Sequence, residues 1–162
     1  MHTITVDTKF DLVLERNVNL KPEQIWKAWT TPELLMKWFC PVPWRTTECE
    51  MDLVPGGAFR TVMQSPEGEK VPNMGCFLEI VENKRLVFTD ALLPGFRPAA
   101  KPESGAGLMF TAFVLLEAYE GGTKFRAIAK HKDEIDRMKH TDMGFHQGWG
   151  IALDQLIKEV SR

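Results

Sequence analysis

His131 is the residue of this sequence best placed to do chemistry. It follows Phe125, Ala127 and Ala129 at two-residue steps, and side chains two apart in a strand lie on one face of a sheet. A titratable imidazole on an apolar face can act as a general base or bind a polar group of a ligand. Because buried polar groups are usually paired, a core histidine held by a backbone or side-chain partner is the other interpretation.

Asp90 is the second candidate. It continues the alternation of Leu86 and Phe88 in another predicted strand, so it could lie at the mouth of a cavity, where it would pair with His131 or orient a polar substrate. Solvation at the end of the strand is the alternative, because carboxylates are seldom buried without a partner.

Other chemistries lack their sequence patterns. No two of His131, His140 and His146 are three or four residues apart, so there is no helical metal-ligand pair. We therefore expect no metal and no cofactor. A Gly-x-Ser-x-Gly elbow and a phosphate-binding glycine loop are also missing from the sequence. With no recognised catalytic motif, the sequence favours a binding protein over an enzyme.

The composition is that of one ordinary domain over residues 1–162, with 1–9 as a flexible or extended tail. A net charge of -2 gives no electrostatic reason to expect nucleic acid. The three cysteines form no Cys-x-x-Cys pair, which suits free thiols in a reducing compartment. No apolar run approaches the roughly 20 residues that cross a bilayer, and no secretion signal is visible. We expect a cytoplasmic protein without a membrane span.

Hydrophobic periodicity predicts a strand, two short helices, six further strands and a long helix. The first strand alternates over 10–18, and Pro22 and Pro32 begin the two helices. The six later strands are predicted over 45–54, 58–64, 71–81, 85–92, 108–119 and 123–131. Short turns between strands favour an antiparallel sheet. The range 94–107 is rich in proline and glycine without periodicity, which predicts a loop and a candidate lid.

The segment 133–162 is predicted as one amphipathic helix that organises the chain. Gly144, Gly148 and Gly150 fall in its first half, and each glycine inside a helix costs roughly 1 kcal/mol relative to alanine. This loss of helix stability indicates either the close approach of another element or open volume beside the helix. The sequence leaves both alternatives open.

Four groups of residues together resemble a known family. They are 26–34 with Trp38, 51–57, 75–80 with 85–88, and 144–149. On these residues the sequence resembles the START-like, or SRPBCC, superfamily, in the branch of homologues of the activator of the heat-shock-protein-90 ATPase. The resemblance implies an α+β helix-grip fold, with a curved antiparallel sheet of about seven strands wrapped around the long C-terminal helix. It also implies two short helices after the first strand and a cavity between sheet and helix.

On that architecture we assign apolar, mostly aromatic residues to the cavity wall. They are Trp38, Cys76, Leu78, Phe88, Phe110, Phe125, Ala127, Ala129, His131, Phe145 and Trp149. The leading hypothesis is a protein that binds a small hydrophobic or amphipathic molecule there, as members of the superfamily commonly do. One alternative is an enzyme on aromatic or polyketide-like substrates that uses His131 and Asp90. Another is a co-chaperone-like interaction module with a chaperone partner. A homodimer is a further possibility, because sheet edges invite pairing.

Overall fold

Helices flank a long run of strands in the computed structural model, which describes residues 4–100 and 108–162. The elements in chain order are β1 (Asp11–Val18), α1 (Pro22–Thr30), α2 (Pro32–Leu35), β2 (Arg45–Met51), β3 (Ala58–Gln64), β4 (Lys70–Val81), β5 (Arg85–Thr89), β6 (Leu92–Leu93), β7 (Arg97–Pro98), β8 (Thr111–Tyr119), β9 (Gly122–Lys130), α3 (Glu134–Asp142) and α4 (Phe145–Val160).

Seven of these strands form one antiparallel sheet in the order β1-β9-β8-β5-β4-β3-β2. Consecutive strands are mostly neighbours because short turns join them; between β4 and β5, for example, Asn83 takes the left-handed conformation with φ 63°. The two short helices follow β1, and α1 begins at the predicted proline, where a missing N–H is harmless. The predicted α+β helix-grip fold, with its seven-stranded antiparallel sheet, is confirmed.

The main core lies between the sheet and α4. Leu153 and Leu156 of α4 are almost fully buried and belong to the same cluster as Phe59, Phe77 and Phe125 of the sheet. Burying an aliphatic or aromatic side chain of this size contributes about 1.5–3 kcal/mol to folding. The sheet and α4 are thus held together mainly by apolar contact.

A bulge in β4 inverts part of the predicted side-chain pattern. Cys76 and Leu78 were predicted to face the cavity, in phase with Ile80. The register shifts between Phe77 and Glu79, so Phe77 packs in the core and Cys76 points to the opposite face. Leu78 lies within the bulge and is half-buried. Both assignments to the cavity wall were therefore wrong.

The predicted single helix over 133–162 is in fact two helices. Met143 and Gly144 separate α3 from α4, and Gly144 is left-handed with φ 90°, a conformation that favours glycine. Gly144 therefore ends one helix and precedes the next, instead of weakening a helix interior. The Asp133 carboxylate caps α3 by accepting the backbone N–H of Asp136 at 2.8 Å.

The remaining predictions concern the tail and the loop. Within the predicted loop 94–107, Arg97–Pro98 form β7 and pair with Leu92–Leu93 of β6. Residues 101–107 of the candidate lid and 1–3 of the tail lie outside the described residues. In the described part of the tail, the carbonyl of Thr5 accepts a hydrogen bond from Lys130 Nζ at 2.5 Å. No helix in the described ranges is both long and apolar enough to cross a membrane.

Candidate functional site

An apolar cavity of about 400 Å³ lies between α4, the region of α1 and α2, and the sheet. Its wall is aromatic and aliphatic except for one imidazole and one thiol. The residues that line it are Trp29, Trp38, Phe39, Cys40, Pro41, Met63, Phe88, Phe110, Phe125, His140, Met143, Gly148, Trp149, Ala152, Leu153 and Leu156.

Trp29 is the centre of the aromatic wall. Its ring lies 4.8 Å from the ring of Trp38 and 6.1 Å from that of Trp149, measured between centroids. The Trp29 indole N–H is buried and has no hydrogen-bond partner within residues 4–100 and 108–162. A buried unpaired donor costs about 1–3 kcal/mol. The wall of the cavity thus contains an unsatisfied polar atom, which is unusual in a packed core.

Gln155 of α4 holds the segment that forms one side of the cavity. Its side-chain Nε2 donates to the carbonyls of Trp38 and Cys40, each at 2.9 Å. Its Oε1 accepts the backbone N–H of Val42 at 3.0 Å. One side chain therefore satisfies three backbone groups of an irregular stretch after α2. This clamp fixes Phe39, which lines the cavity, against α4.

The cavity wall reaches the surface at Met143, which is 56% exposed, and we call the side of the wall formed by Pro41, Met143 and Gly148 its mouth. A Cβ atom built on Gly148 would lie 3.9 Å from Pro41 Cγ, which is ordinary contact, and among residues 4–100 and 108–162 a Cβ on Gly150 would meet nothing within 4 Å outside its own helix backbone. Close packing is thus not the reason for glycine at either position. Gly148 lines the cavity, so its missing side chain leaves open volume there.

Two histidines form a hydrogen-bonded pair beside the cavity. His131 Nε2 lies 2.8 Å from His140 Nδ1, and His131 Nδ1 lies 2.8 Å from the carbonyl oxygen of Phe10. Both side chains are more than nine-tenths buried. The ring of His140 packs against those of Phe110 and Phe145, with centroids 4.6 and 5.1 Å away. His131 is thus the core histidine with satisfied partners, and His140 is the histidine that reaches the cavity.

The hydrogen-bond network assigns the tautomers of the neutral pair. A carbonyl oxygen can only accept, so His131 Nδ1 carries the proton that it donates to Phe10. His131 Nε2 is then an acceptor, and His140 Nδ1 must donate to it. In the neutral pair, His140 Nε2 is therefore left without a proton.

Acid should destabilise the fold through His140. Burial, with a contribution from the nearby His131, lowers the pKa of His140 from 6.5 to about 4. Between these values the unfolded chain binds more protons than the native state, so the stability due to neutral His140 is complete above pH 6.5 and is lost as the pH falls towards 4. We expect the free energy of unfolding to fall less steeply over this window in His140→Asn than in the wild type.

Urea denaturation at several pH values measures this difference. His146→Asn is the control, because His146 is exposed and bonds through Nε2 to the carbonyl of Val13. Identical pH slopes for the wild type and His140→Asn would contradict the expectation.

Asp90 does not make the predicted pair with His131, whose two nitrogens are bonded to Phe10 and His140. Its carboxylate Oδ1 accepts the backbone N–H of Phe110 at 3.0 Å, and burial raises the pKa of Asp90. Phe110 lines the cavity. Asp90 therefore positions a wall residue through its backbone.

The predicted wall residues fall into two groups. Trp38, Phe88, Phe110, Phe125 and Trp149 border the cavity. Ala127, Ala129, His131 and Phe145 lie outside its wall, as do Cys76 and Leu78 for the reason given above. Ala129 shares a separate buried cluster with Leu12 and Phe145, so the space above the small β9 residue is filled by the first residue of α4.

His140 is a wall residue that the sequence prediction did not include. For Gly148, the structure favours open volume, which is one of the two alternatives that the sequence left for its glycines. His140 was considered only as a metal ligand. Its partner is His131, nine residues earlier, and the two meet because α3 turns back after β9. Within the described ranges, no three histidine, cysteine, aspartate or glutamate side chains gather closely enough to hold a metal.

A larger groove of about 610 Å³ lies elsewhere, near the β4–β5 turn and strands β8 and β9. Its walls carry both signs of charge, including Glu82 and Glu117 opposite Lys124 and Arg126. Mixed, solvated charges give it no clear complementarity to a ligand class. The smaller apolar cavity is the better candidate despite its volume, because it combines apolar walls with few polar groups.

The fold and the cavity can be compared with known proteins. A crystal structure of a protein from Nitrosomonas europaea is 43% identical, with a TM-score of 0.90 over 96% of this chain and 97% of that one. A solution structure from Arthrobacter aurescens has a TM-score of 0.80 at 22% identity, covering 98% and 91% of the two chains. The AHSA1-like protein from Aeromonas hydrophila has a TM-score of 0.69 at 20% identity, over 93% and 92%. The last two show likeness of fold alone. No curated protein matches the chain.

The model of one family matches nearly the whole sequence, over residues 19–161. That range begins before α1 and ends after α4, so it contains every residue that lines the cavity. The chain therefore belongs to the family of Activator of Hsp90 ATPase homolog 1-like proteins.

Proposed function

We propose that this chain binds a small apolar or amphipathic molecule in the cavity between α4 and the sheet. The observation that carries the proposal is the volume of about 400 Å³ inside a wall of aromatic and aliphatic side chains. Protein cores are close-packed and seldom contain voids much larger than a water molecule. A cavity of about 300–1,000 Å³ is instead typical of small-molecule sites.

The buried aromatic rings support the same function. Trp29, Trp38 and Phe88 offer apolar faces that gain free energy when they contact an apolar ligand instead of water. Gly148 and Met143 provide a mouth in which one residue has no side chain and the other has a flexible one. This pair of residues leaves room for a ligand beside Gly148.

A titration with N-phenyl-1-naphthylamine tests the proposal. This neutral dye fluoresces strongly only in apolar surroundings, so we expect a saturable rise in fluorescence that fits one site per chain. Native mass spectrometry of the same sample should show one dye molecule bound. A linear rise without saturation, as from non-specific partitioning, would overturn the proposal.

The two other hypotheses have weaker support from the geometry. The enzymatic one uses His131 and Asp90, but neither residue lines the cavity, and their side chains bond to Phe10, His140 and the backbone of Phe110. A co-chaperone-like module needs an exposed apolar surface, which Ile135 and Met138 on α3 supply at 71% and 50% exposure. The test adds this protein to a purified Hsp90-type chaperone and measures the ATPase rate with and without N-phenyl-1-naphthylamine. A change in rate that is the same with and without the dye would favour the co-chaperone-like module over the ligand-binding protein.

A further inference from the structure

In the neutral histidine pair, His140 Nε2 carries no proton and can accept a hydrogen bond. His140 Nδ1 is committed to His131, and the two nitrogens of an imidazole point in different directions. No residue within 4–100 or 108–162 forms a hydrogen bond with His140 Nε2. This nitrogen is also not among the side-chain atoms that are both completely buried and without a hydrogen-bond partner. Since His140 lines the cavity, is only 7% exposed and turns Nδ1 towards His131, we expect Nε2 to face the cavity.

The rest of the wall contains no charge that could match an ionic ligand. Among its described residues, Cys40 is the other ionisable group, and burial raises the pKa of its thiol, which therefore stays protonated. Its sulfur lies 3.6 Å from the hydroxyl oxygen of Thr46. A carboxylate or ammonium group placed here would lose its hydration without gaining a partner of opposite charge, which is costly.

We propose that His140 Nε2 is the hydrogen-bond acceptor of the cavity and selects neutral ligands that carry one donor, such as a phenol or an alcohol, on an apolar body. This inference rests on the proposed function, because it names the class of ligand for the same cavity. His131 acts as a positioning residue: its bond to Phe10 fixes its own tautomer, and that tautomer makes His140 an acceptor towards the ligand.

Two probes of almost the same shape test the proposal at pH 7. 2-Naphthol has a hydroxyl donor, and 2-methoxynaphthalene replaces it with an ether that cannot donate. Isothermal titration calorimetry gives the ratio of their affinities for each protein variant. Comparing that ratio between variants cancels the difference in hydrophobicity between the probes.

His140→Asn is the informative variant. The asparagine amide is placed to donate to His131 as Nδ1 does, but it has no atom at the position of Nε2. A neutral hydrogen bond contributes enough for the naphthol-to-ether ratio to fall by about fivefold to tenfold. His146→Asn, on the exposed side of α4, should keep the wild-type ratio.

The outcomes separate the two proposals. If both probes bind and the ratio is the same in the wild type and in His140→Asn, the acceptor role is overturned and the proposed function stands. If neither probe binds the wild type, the proposed function itself fails. His140→Phe, whose ring suits the space between Phe110 and Phe145, repeats the measurement in case the asparagine variant does not fold.

Discussion

Gly148→Phe should weaken the binding of N-phenyl-1-naphthylamine at least about tenfold, which corresponds to 1.4 kcal/mol. Gly148 lines the cavity, and in the described part of the chain a Cβ atom there has Pro41 as its one neighbour within 4 Å outside the helix backbone. A phenyl group on that Cβ can turn into the cavity mouth without a backbone clash. It would then occupy the volume that the dye needs. Fluorescence titration of the variant measures the change in affinity.

Gly150→Phe is the matched control, because it makes the same substitution two residues further along the same helix. A Cβ on Gly150 meets no described residue within 4 Å outside its own helix backbone, and Gly150 does not line the cavity. Both variants replace a helical glycine by a better helix former, so neither should lower the melting temperature. Equal binding by the two variants would mean that the dye does not enter beside Gly148.

The outline of the fold could be predicted from the sequence because each of its signals is local. Alternation over two residues marks the long strands, and Pro22 and Pro32 mark the first turns of α1 and α2. Short turns then make sequential antiparallel pairing the simplest arrangement. The bulge between Phe77 and Glu79 was not predicted, because one extra residue within a run of apolar residues does not visibly change the alternation of apolar and polar residues.

The site was harder to predict because it depends on where distant segments meet. The pairing of His131 with His140 requires a helix that turns back after β9, and the break at Gly144 resembled a glycine inside a longer helix. Ala127 and Ala129 were assigned to the cavity wall, yet Phe145 covers Ala129. The open volume lies beside Gly148, as one of the two alternatives for the glycines of the helix had it, and the clamp by Gln155 determines how near the segment after α2 can come.

Leu156 is the side chain of α4 that packs most completely between the helix and the sheet, so its loss should cost much stability. Leu156 is fully buried, belongs to the main core cluster and also lines the cavity. Leu156→Ala removes apolar contacts and leaves space that the neighbouring elements fill only in part. We expect the free energy of unfolding in urea to fall by about 2–5 kcal/mol.

Ile151→Ala provides the comparison on the same helix, because Ile151 is 43% exposed and does not line the cavity. Removing a side chain of the same size there should change stability by about 0.5 kcal/mol or less. Since Leu156 borders the cavity, its truncation also enlarges the binding volume, so the folded variant should accept probes bulkier than the wild type does. A loss of stability no greater than that of Ile151→Ala would show that contacts elsewhere hold α4 to the sheet.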